Sequence, residues 1–396
     1  MKKTPISFED TETAFVSKTT ADLNRAYWLF QILSINWLVQ LSPAVFKFAL
    51  WAHLPIKGII RATAFRHFCG GESIKDCQKT IESLSKFNIG TILDYSVEGK
   101  ESEEDFDRSL EQTLSTVLRA KGDSTIPFSV FKPSGFARIA LLEKKNSGKL
   151  LSVEEQEEYS RFYKRVSTIC EAAFNNNVPI YIDAEETWIQ DVVDEIATEM
   201  MMKFNGKKAI IYNTLQMYRH DRISFLKKSI EHARSNNYFL GVKLVRGAYM
   251  EKERARAKLL KYPSPIQDSK ENTDKDYNSA LKISFENLDI TYICAGTHNE
   301  NSCLMLIRLM AENNIPNDHE HIWFSQLYGM SDHITFNLAK EKYSTSKYVP
   351  YGPITSVLPY LIRRAQENTS VKGQTGRELS LINIEKIRRK NESLGK

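Results

Sequence analysis

The chain has 396 residues, with 54 Lys and Arg against 49 Asp and Glu for a net charge of +5, and it is 42% hydrophobic and 11% aromatic. That composition excludes disorder for most of the chain, and so thin a basic excess, with no run of Lys or Arg, excludes a nucleic-acid arm. Five widely spaced cysteines (Cys69, Cys77, Cys170, Cys294 and Cys303) with no CxxC argue against a disulfide framework or a cysteine zinc site and favour a reducing compartment.

The first fifteen residues, MKKTPISFEDTETAF, reach acidic side chains before any apolar run, so they read as neither a signal nor a transit peptide. Residues 26–46, AYWLFQILSINWLVQLSPAVF, carry no charge over a membrane-spanning length. Gln31, Ser34, Asn36, Gln40 and Ser42 interrupt the run, and Pro43 suggests two shorter helices that are buried or surface-lying rather than one span. Trp28, Trp37 and Trp51 keep a membrane-surface role open. The expected location is cytoplasmic, with peripheral contact at the inner face of the membrane as an extension of that reading. Helical periodicity recurs in SIKDCQKTIESLSKF, so residues 1–87 are predicted to form a helical N-terminal region.

From residue 88 onward, short runs rich in branched residues alternate with longer amphipathic stretches. The runs are 89–97, 126–132, 178–184, 208–214, 238–246, 290–296, 321–327 and 347–352, which makes eight predicted strands. Between them, DFDRSLEQTLSTVLRA and ISFLKKSIEHARS place apolar residues three and four apart, as helices do. Strand alternating with helix implies parallel βαβ units, and eight of them over roughly 280 residues suit a (β/α)8 barrel spanning 88–370. The rival is a doubly wound open sheet, but no GxGxxG follows the first strand, and no GxxxxGK[ST] occurs anywhere. Residues 371–396 form a polar tail predicted to end in a short helix or to fray.

A barrel of this kind carries its active site at the carboxyl ends of its strands. Those ends read Lys132, Asp183 with Glu185 and Glu186, Gln216, Lys243 with Arg246, Thr297-His298-Asn299, Gln326 and Tyr348, followed by Arg363-Arg364 on the last helix. Each has a plainer explanation: acids suiting a helix N-terminus for Asp183 to Glu186, solvated basic residues for the arginine pair, and packing for Tyr249 and Tyr348. Polar groups at nearly every strand end are costly unless a polar ligand fills the mouth. Lys132, Arg363 and Arg364 suit an anionic group, either carboxylate or phosphate. Asp183 and Glu367 can balance that charge. His319 and His321 lack a third ligand at zinc spacing, so no metal is assigned.

The stretches IDAEE (182–186), VKLVRGAY (242–249), THN (297–299), FSQLYGM (324–330), KYVPYG (347–352) and YLIRRAQEN (360–368) resemble proline dehydrogenase, the flavin enzyme that oxidises L-proline. The resemblance covers roughly residues 60–370 and implies a distorted (β/α)8 barrel holding FAD non-covalently. Carried over by motif, it implies that Lys132, Arg363 and Arg364 bind the substrate carboxylate, that Tyr249, Leu327 and Tyr348 wall the ring, and that Asp183 supports the pocket. For the flavin it implies Gln216, Lys243, Val245, Gly247, Ala248, Thr297, His298, Asn299, Gln326, Arg364 and Glu367. Lys243 stands where some members have Arg, and Met250 where some have Trp, so the planar fork and any stacking there are lost.

The implied reaction is oxidation of L-proline to 1-pyrroline-5-carboxylate, with electrons passed on to a membrane quinone. The chain is too short to carry an aldehyde-oxidising domain as well, so a separate pyrroline-5-carboxylate dehydrogenase is the expected downstream partner. Two alternatives stand beside it: a hydroxyproline dehydrogenase on the same scaffold, and a barrel that binds a carboxylate without catalysis.

Overall fold

In the computed structural model, residues 6–35, 56–96, 101–370 and 374–394 are described. Asn36 to Phe46 of the uncharged segment, with Trp37, and Trp51 lie outside them.

Eight strands carry the architecture: β1 Ile89–Tyr95, β2 Phe128–Phe131, β3 Ile180–Ile182, β4 Ile211–Gln216, β5 Leu240–Val245, β6 Thr291–Gly296, β7 Ile322–Leu327 and β8 Thr345–Tyr351. They run in sequence order and close into a barrel. The pairing is parallel, with registers such as Thr214↔Lys243 and Gln216↔Val245 between β4 and β5. All eight predicted runs are strands, and β8 starts two residues earlier than its run.

The helices between strands form where the sequence supplies both an apolar face and a start signal. In α5 (Glu103–Ala120), Ser102 caps the N-terminus by accepting from the Asp105 N–H, and three acids occupy the first turn. In α7 (Val153–Asn175), Ser152 and Glu155 form a capping box. Several helices stop at an asparagine in the left-handed conformation: Asn88 (φ 57°), Asn177 (φ 55°), Asn237 (φ 55°) and Asn314 (φ 54°). Asparagine tolerates that region better than other side chains, so it turns the chain cheaply towards the next strand.

Contacts divide the chain into two compact units: residues 1–89, 94–98 and 326–396, and residues 90–93 and 99–325. Within the second unit, the strand interiors hold an aromatic layer. Tyr181 stacks on Phe128 with ring centroids 4.5 Å apart, while Trp323 and Tyr212 meet Phe128 edge-on at 5.1 and 5.6 Å. Filling a barrel with layers of side chains makes it a packed core rather than a pore.

Within the first unit, α1 (Thr11–Ala14) and α2 (Thr20–Leu33) are the first two helices among the described residues. α3 (Ile56–Ile60) leads into a π turn, Arg61–Phe65, and α4 spans Gln78–Ser85. Phe15, Leu23, Phe30, Phe65 and Phe68 form one apolar cluster with Val357 and Leu361 of α14 (Ile354–Ser370). The C-terminal tail differs from the short or frayed end expected: it forms α15, Gln374–Leu394. Leu381 and Ile382 enter the same cluster, and buried Glu385 binds Arg388 and Arg389, so tertiary burial orders a segment whose composition reads as polar. The arginine pair therefore lies on the penultimate helix rather than the last.

Candidate active site

In the second unit, the ends of β2 to β6 converge on a connected set of polar side chains. Lys243 of β5 is buried, with its ammonium 4.9 Å from the Tyr181 ring centroid, and it donates to Asp183 just past β3. An ammonium so placed is stabilised by both a carboxylate and an aromatic face. Gln216, last residue of β4, donates to the Glu185 carbonyl at 2.6 Å and accepts from the Ala248 N–H at 3.0 Å. One amide thus ties the ends of β3, β4 and β5 together.

The segment 183–186 does not act as a set of helix-capping acids. Glu186 occupies the N-cap position of α8 (Thr187–Phe204), but its side chain makes no capping bond and instead accepts from Lys252 at 2.7 Å. The N-terminus of α8 is satisfied by Glu253 of α10 (Met250–Leu260), which accepts from the Thr187 N–H and hydroxyl, both at 2.7 Å. Burial pushes the Glu253 carboxyl up. Glu185 is 3% exposed and accepts from both the Ser134 N–H, at 2.7 Å, and the Ser134 hydroxyl.

After β5 the chain turns through Gly247 at φ +136°, where a Cβ would lie 2.5 Å from the Tyr218 ring. Only glycine fits there, so the end of β5 presents bare backbone. Tyr249 is buried behind it, with the Lys252 ammonium 5.3 Å from its ring. Arg246 serves the scaffold: it donates to Asp274 at 2.6 Å, to Thr297 and to Ser302, and lies 4.3 Å from the Tyr277 ring. Thr297 also accepts from the Asn299 N–H, and Asn299 caps α12 (Glu300–Glu312) by accepting from Ser302. His298 is partly buried between these two residues.

In the first unit, Gln326 at the end of β7 accepts from the Thr335 hydroxyl at 2.8 Å. The carbonyl of Tyr348 accepts from the Tyr328 N–H, which brings the residue after Leu327 beside β8. Lys347, one residue before Tyr348, points the other way and is fully buried, with its ammonium 2.8 Å from Asp332. On α14 the Arg364 guanidinium lies 5.2 Å from the Tyr360 ring; Arg364 is buried and Arg363 partly so. The side chain of Glu367 lies outside the described residues.

The model of the proline dehydrogenase family matches residues 77–377, most of the chain. The chain belongs to the proline dehydrogenase family. It is 32% identical to the mitochondrial proline dehydrogenase 1 of Dictyostelium discoideum over 96% of this chain and 74% of that protein. It is also 28% identical to the hydroxyproline dehydrogenase of Xenopus laevis, over 97% of this chain and 90% of that protein. Among solved structures, proline utilization A from Bdellovibrio bacteriovorus, inactivated by N-propargylglycine, matches with a TM-score of 0.72 at 20% identity. That likeness is one of fold; it covers 91% of this chain, which spans 38% of the length of that one.

The strand-end residues fit the cofactor expected for a proline dehydrogenase. A flavin needs backbone that can approach its ring and polar groups around its edge, and bare Gly247 beside Gln216 and Lys243 supplies both. Asp183, Gln216 and Lys243, which the structure places at the ends of neighbouring strands, are three of the longer series of strand-end residues named from the sequence. That series did not include Ser134, Gln190 or Lys347, whose neighbours reveal nothing of their partners. Glu185 was visible only as a neighbour of Asp183.

Proposed function

We propose that this proline dehydrogenase oxidises L-proline to 1-pyrroline-5-carboxylate, using FAD held at the strand ends. The observation that carries the reading is the buried Lys243–Asp183 pair with Gln216 and the Cβ-excluding backbone at Gly247, at the carboxyl ends of a closed (β/α)8 barrel. Lys132, Arg363 and Arg364 bind the substrate carboxylate, since guanidinium pairs suit planar anions. Tyr249, Leu327 and Tyr348 wall the ring and exclude water, while Asp183 holds Lys243 in place. Gln216, Lys243, the backbone of Val245, Gly247 and Ala248, and Thr297, His298, Asn299, Gln326, Arg364 and Glu367 serve the cofactor. When bound, the flavin supplies the hydride acceptor.

The protein's part is positional. The substrate amine binds neutral, because its lone pair must form the C=N bond as hydride leaves the adjacent ring carbon and the nitrogen gives up its proton. Fixing the carboxylate at one end of the ring sets where that carbon sits. Purified protein should show a flavin spectrum that bleaches with proline; a colourless protein, or one whose flavin stays oxidised, overturns the reading and favours a carboxylate-binding barrel. The likeness to a hydroxyproline dehydrogenase makes hydroxyproline the alternative substrate. Tyr348 fills the space a ring hydroxyl needs, which favours proline, and Tyr348→Ser should raise efficiency on hydroxyproline relative to proline.

The electrons pass on to a quinone drawn from a membrane surface. Trp28 and Ile59 are each 66% exposed, with Ile32 also exposed on α2, and a cavity of about 1050 Å³ lined by Leu29, Leu33, Leu361 and Ala365 lies in the same unit. Among the described residues, no helix is long and apolar enough to cross a membrane. Co-sedimentation with anionic vesicles, lost in Trp28→Ser/Ile32→Ser, tests this extension.

A further inference from the structure

We propose that Glu185 is a positioning residue that sets the place of Lys132 by gripping the turn in which Lys132 stands. The inference rests on the reading of Lys132 as a carboxylate anchor and concerns what holds that anchor.

Lys132 follows β2 in extended conformation and opens the 3-10 turn Pro133–Gly135, its carbonyl accepting from the Gly135 N–H at 3.0 Å. Glu185 takes hold of this turn twice, through the N–H and the hydroxyl of Ser134. Glu185 is itself fixed at both backbone atoms. Its N–H donates to the Gln190 side chain at 2.7 Å, and its carbonyl accepts from Gln216. Gln190 donates in turn to Asp194 at 2.9 Å, and Asp194 also accepts from Asn213 at 2.9 Å and from Arg222 at 2.6 Å. The grip on the Lys132 turn is thus anchored in α8, β4 and α9 (Arg222–Ser235). A side chain with four or more rotatable bonds holds a ligand accurately only when the backbone beneath it is immobile.

The charge environment agrees. Burial and the neighbouring Glu186 push the Glu185 carboxyl up to about 7, against the pull of Ser134 and of the Lys132 charge. The charged groups around it are Lys132 beyond β2, Glu186 with its partner Lys252, and the Asp183–Lys243 pair. A carboxyl raised in the folded state favours folding while protonated, and that contribution is lost as pH rises through about 7. Ionised Glu185 is therefore costly to the fold at alkaline pH, where the substrate amine is most readily neutral. That is the signature of a group kept for the site rather than for stability.

The test uses the flavin-loaded protein and the variants Glu185→Gln, Ser134→Ala, Lys132→Ala and the Lys132→Ala/Glu185→Gln pair. In Glu185→Gln, KM for proline should rise about tenfold, the size of one lost charge-assisted hydrogen bond, with kcat changed far less. Its thermal midpoint at pH 8 should be unchanged or higher, and amide exchange at Ser134 should quicken. Ser134→Ala should raise KM in the same direction by a smaller factor, and Glu185→Gln should add nothing to KM once Lys132 is gone. An unchanged KM in both Glu185→Gln and Ser134→Ala overturns the proposal, as does full additivity with Lys132→Ala. A drop in thermal midpoint with KM unmoved in Ser134→Ala assigns Glu185 to the scaffold and overturns it equally. If wild-type flavin does not respond to proline, the functional reading fails, while exchange at Ser134 still reports the grip by itself.

Discussion

Lys347→Met should destabilise the protein by about 3 kcal/mol, towards the lower end of the range for removing one partner of a buried ion pair. The side chain of Lys347 is fully buried, and its ammonium lies 2.8 Å from Asp332 and donates to the Met330 carbonyl. Burial disfavours charge on both groups, pushing Lys347 down; at Asp332 the Lys347 and Lys18 ammoniums outweigh it and hold the carboxyl well below the usual range. Methionine fills most of the lysine volume, so the loss is electrostatic rather than a cavity. Asp332 keeps Lys18 at 3.6 Å, which places the cost towards the lower end. Because the Asp332 carboxyl is depressed, its contribution is present above the ordinary carboxylate value and lost only as pH falls through its folded value. The gap between wild type and variant should therefore be constant from about pH 5 to 8. Urea unfolding measures it, with Lys347→Met/Asp332→Leu as the control, which should recover more than half of the loss. A single-variant loss below about 1 kcal/mol, or a double variant no better than the single, refutes the reasoning.

Arg363→Ala and Arg364→Ala should each weaken proline binding by about 2–5 kcal/mol, and an unchanged KM in both removes them from the carboxylate role. His67 lies against the Phe30 and Phe68 rings, with Nε2 2.7 Å from the Gly329 carbonyl, and burial lowers it to about 4. Its neutral form stabilises the fold above its ordinary value, so stability should fall by about 2 kcal/mol as pH drops from 6.5 towards 4. The same titration of His67→Gln should lack that component. Gly247→Ala combines a disfavoured φ with overlap of the Tyr218 ring, so it should cost about 2–4 kcal/mol and release flavin, seen as loss of the visible spectrum on gel filtration.

Eight strands, their order and the polar character of their ends were legible because each follows from local burial. A run such as VPIYIDA is apolar where the strand is packed on both faces and polar where it emerges at the mouth, and that pattern is written residue by residue. The resemblance of LVRGAY and RRAQEN then supplied a chemistry that periodicity cannot. Which strand-end groups hold which others was not legible. Arg246 and Lys243 both look like ligand-binding cations in sequence, yet Arg246 is spent on Asp274, Thr297 and Ser302. Glu185 and Glu186 are adjacent, yet one grips Ser134 and the other meets Lys252. Lys347 and Tyr348 are neighbours whose side chains alternate across β8, which puts a buried ion pair directly behind a proposed substrate wall. The tail that reads as polar becomes α15 because the cluster it joins is built from residues some 350 positions earlier. By itself the sequence determined that eight short apolar runs alternate with amphipathic helical stretches, since that pattern depends on neighbours a few residues away. The tertiary structure decided the partners, because Lys243 meets Asp183 across 60 residues of chain and a hydrogen bond is a matter of distance in space.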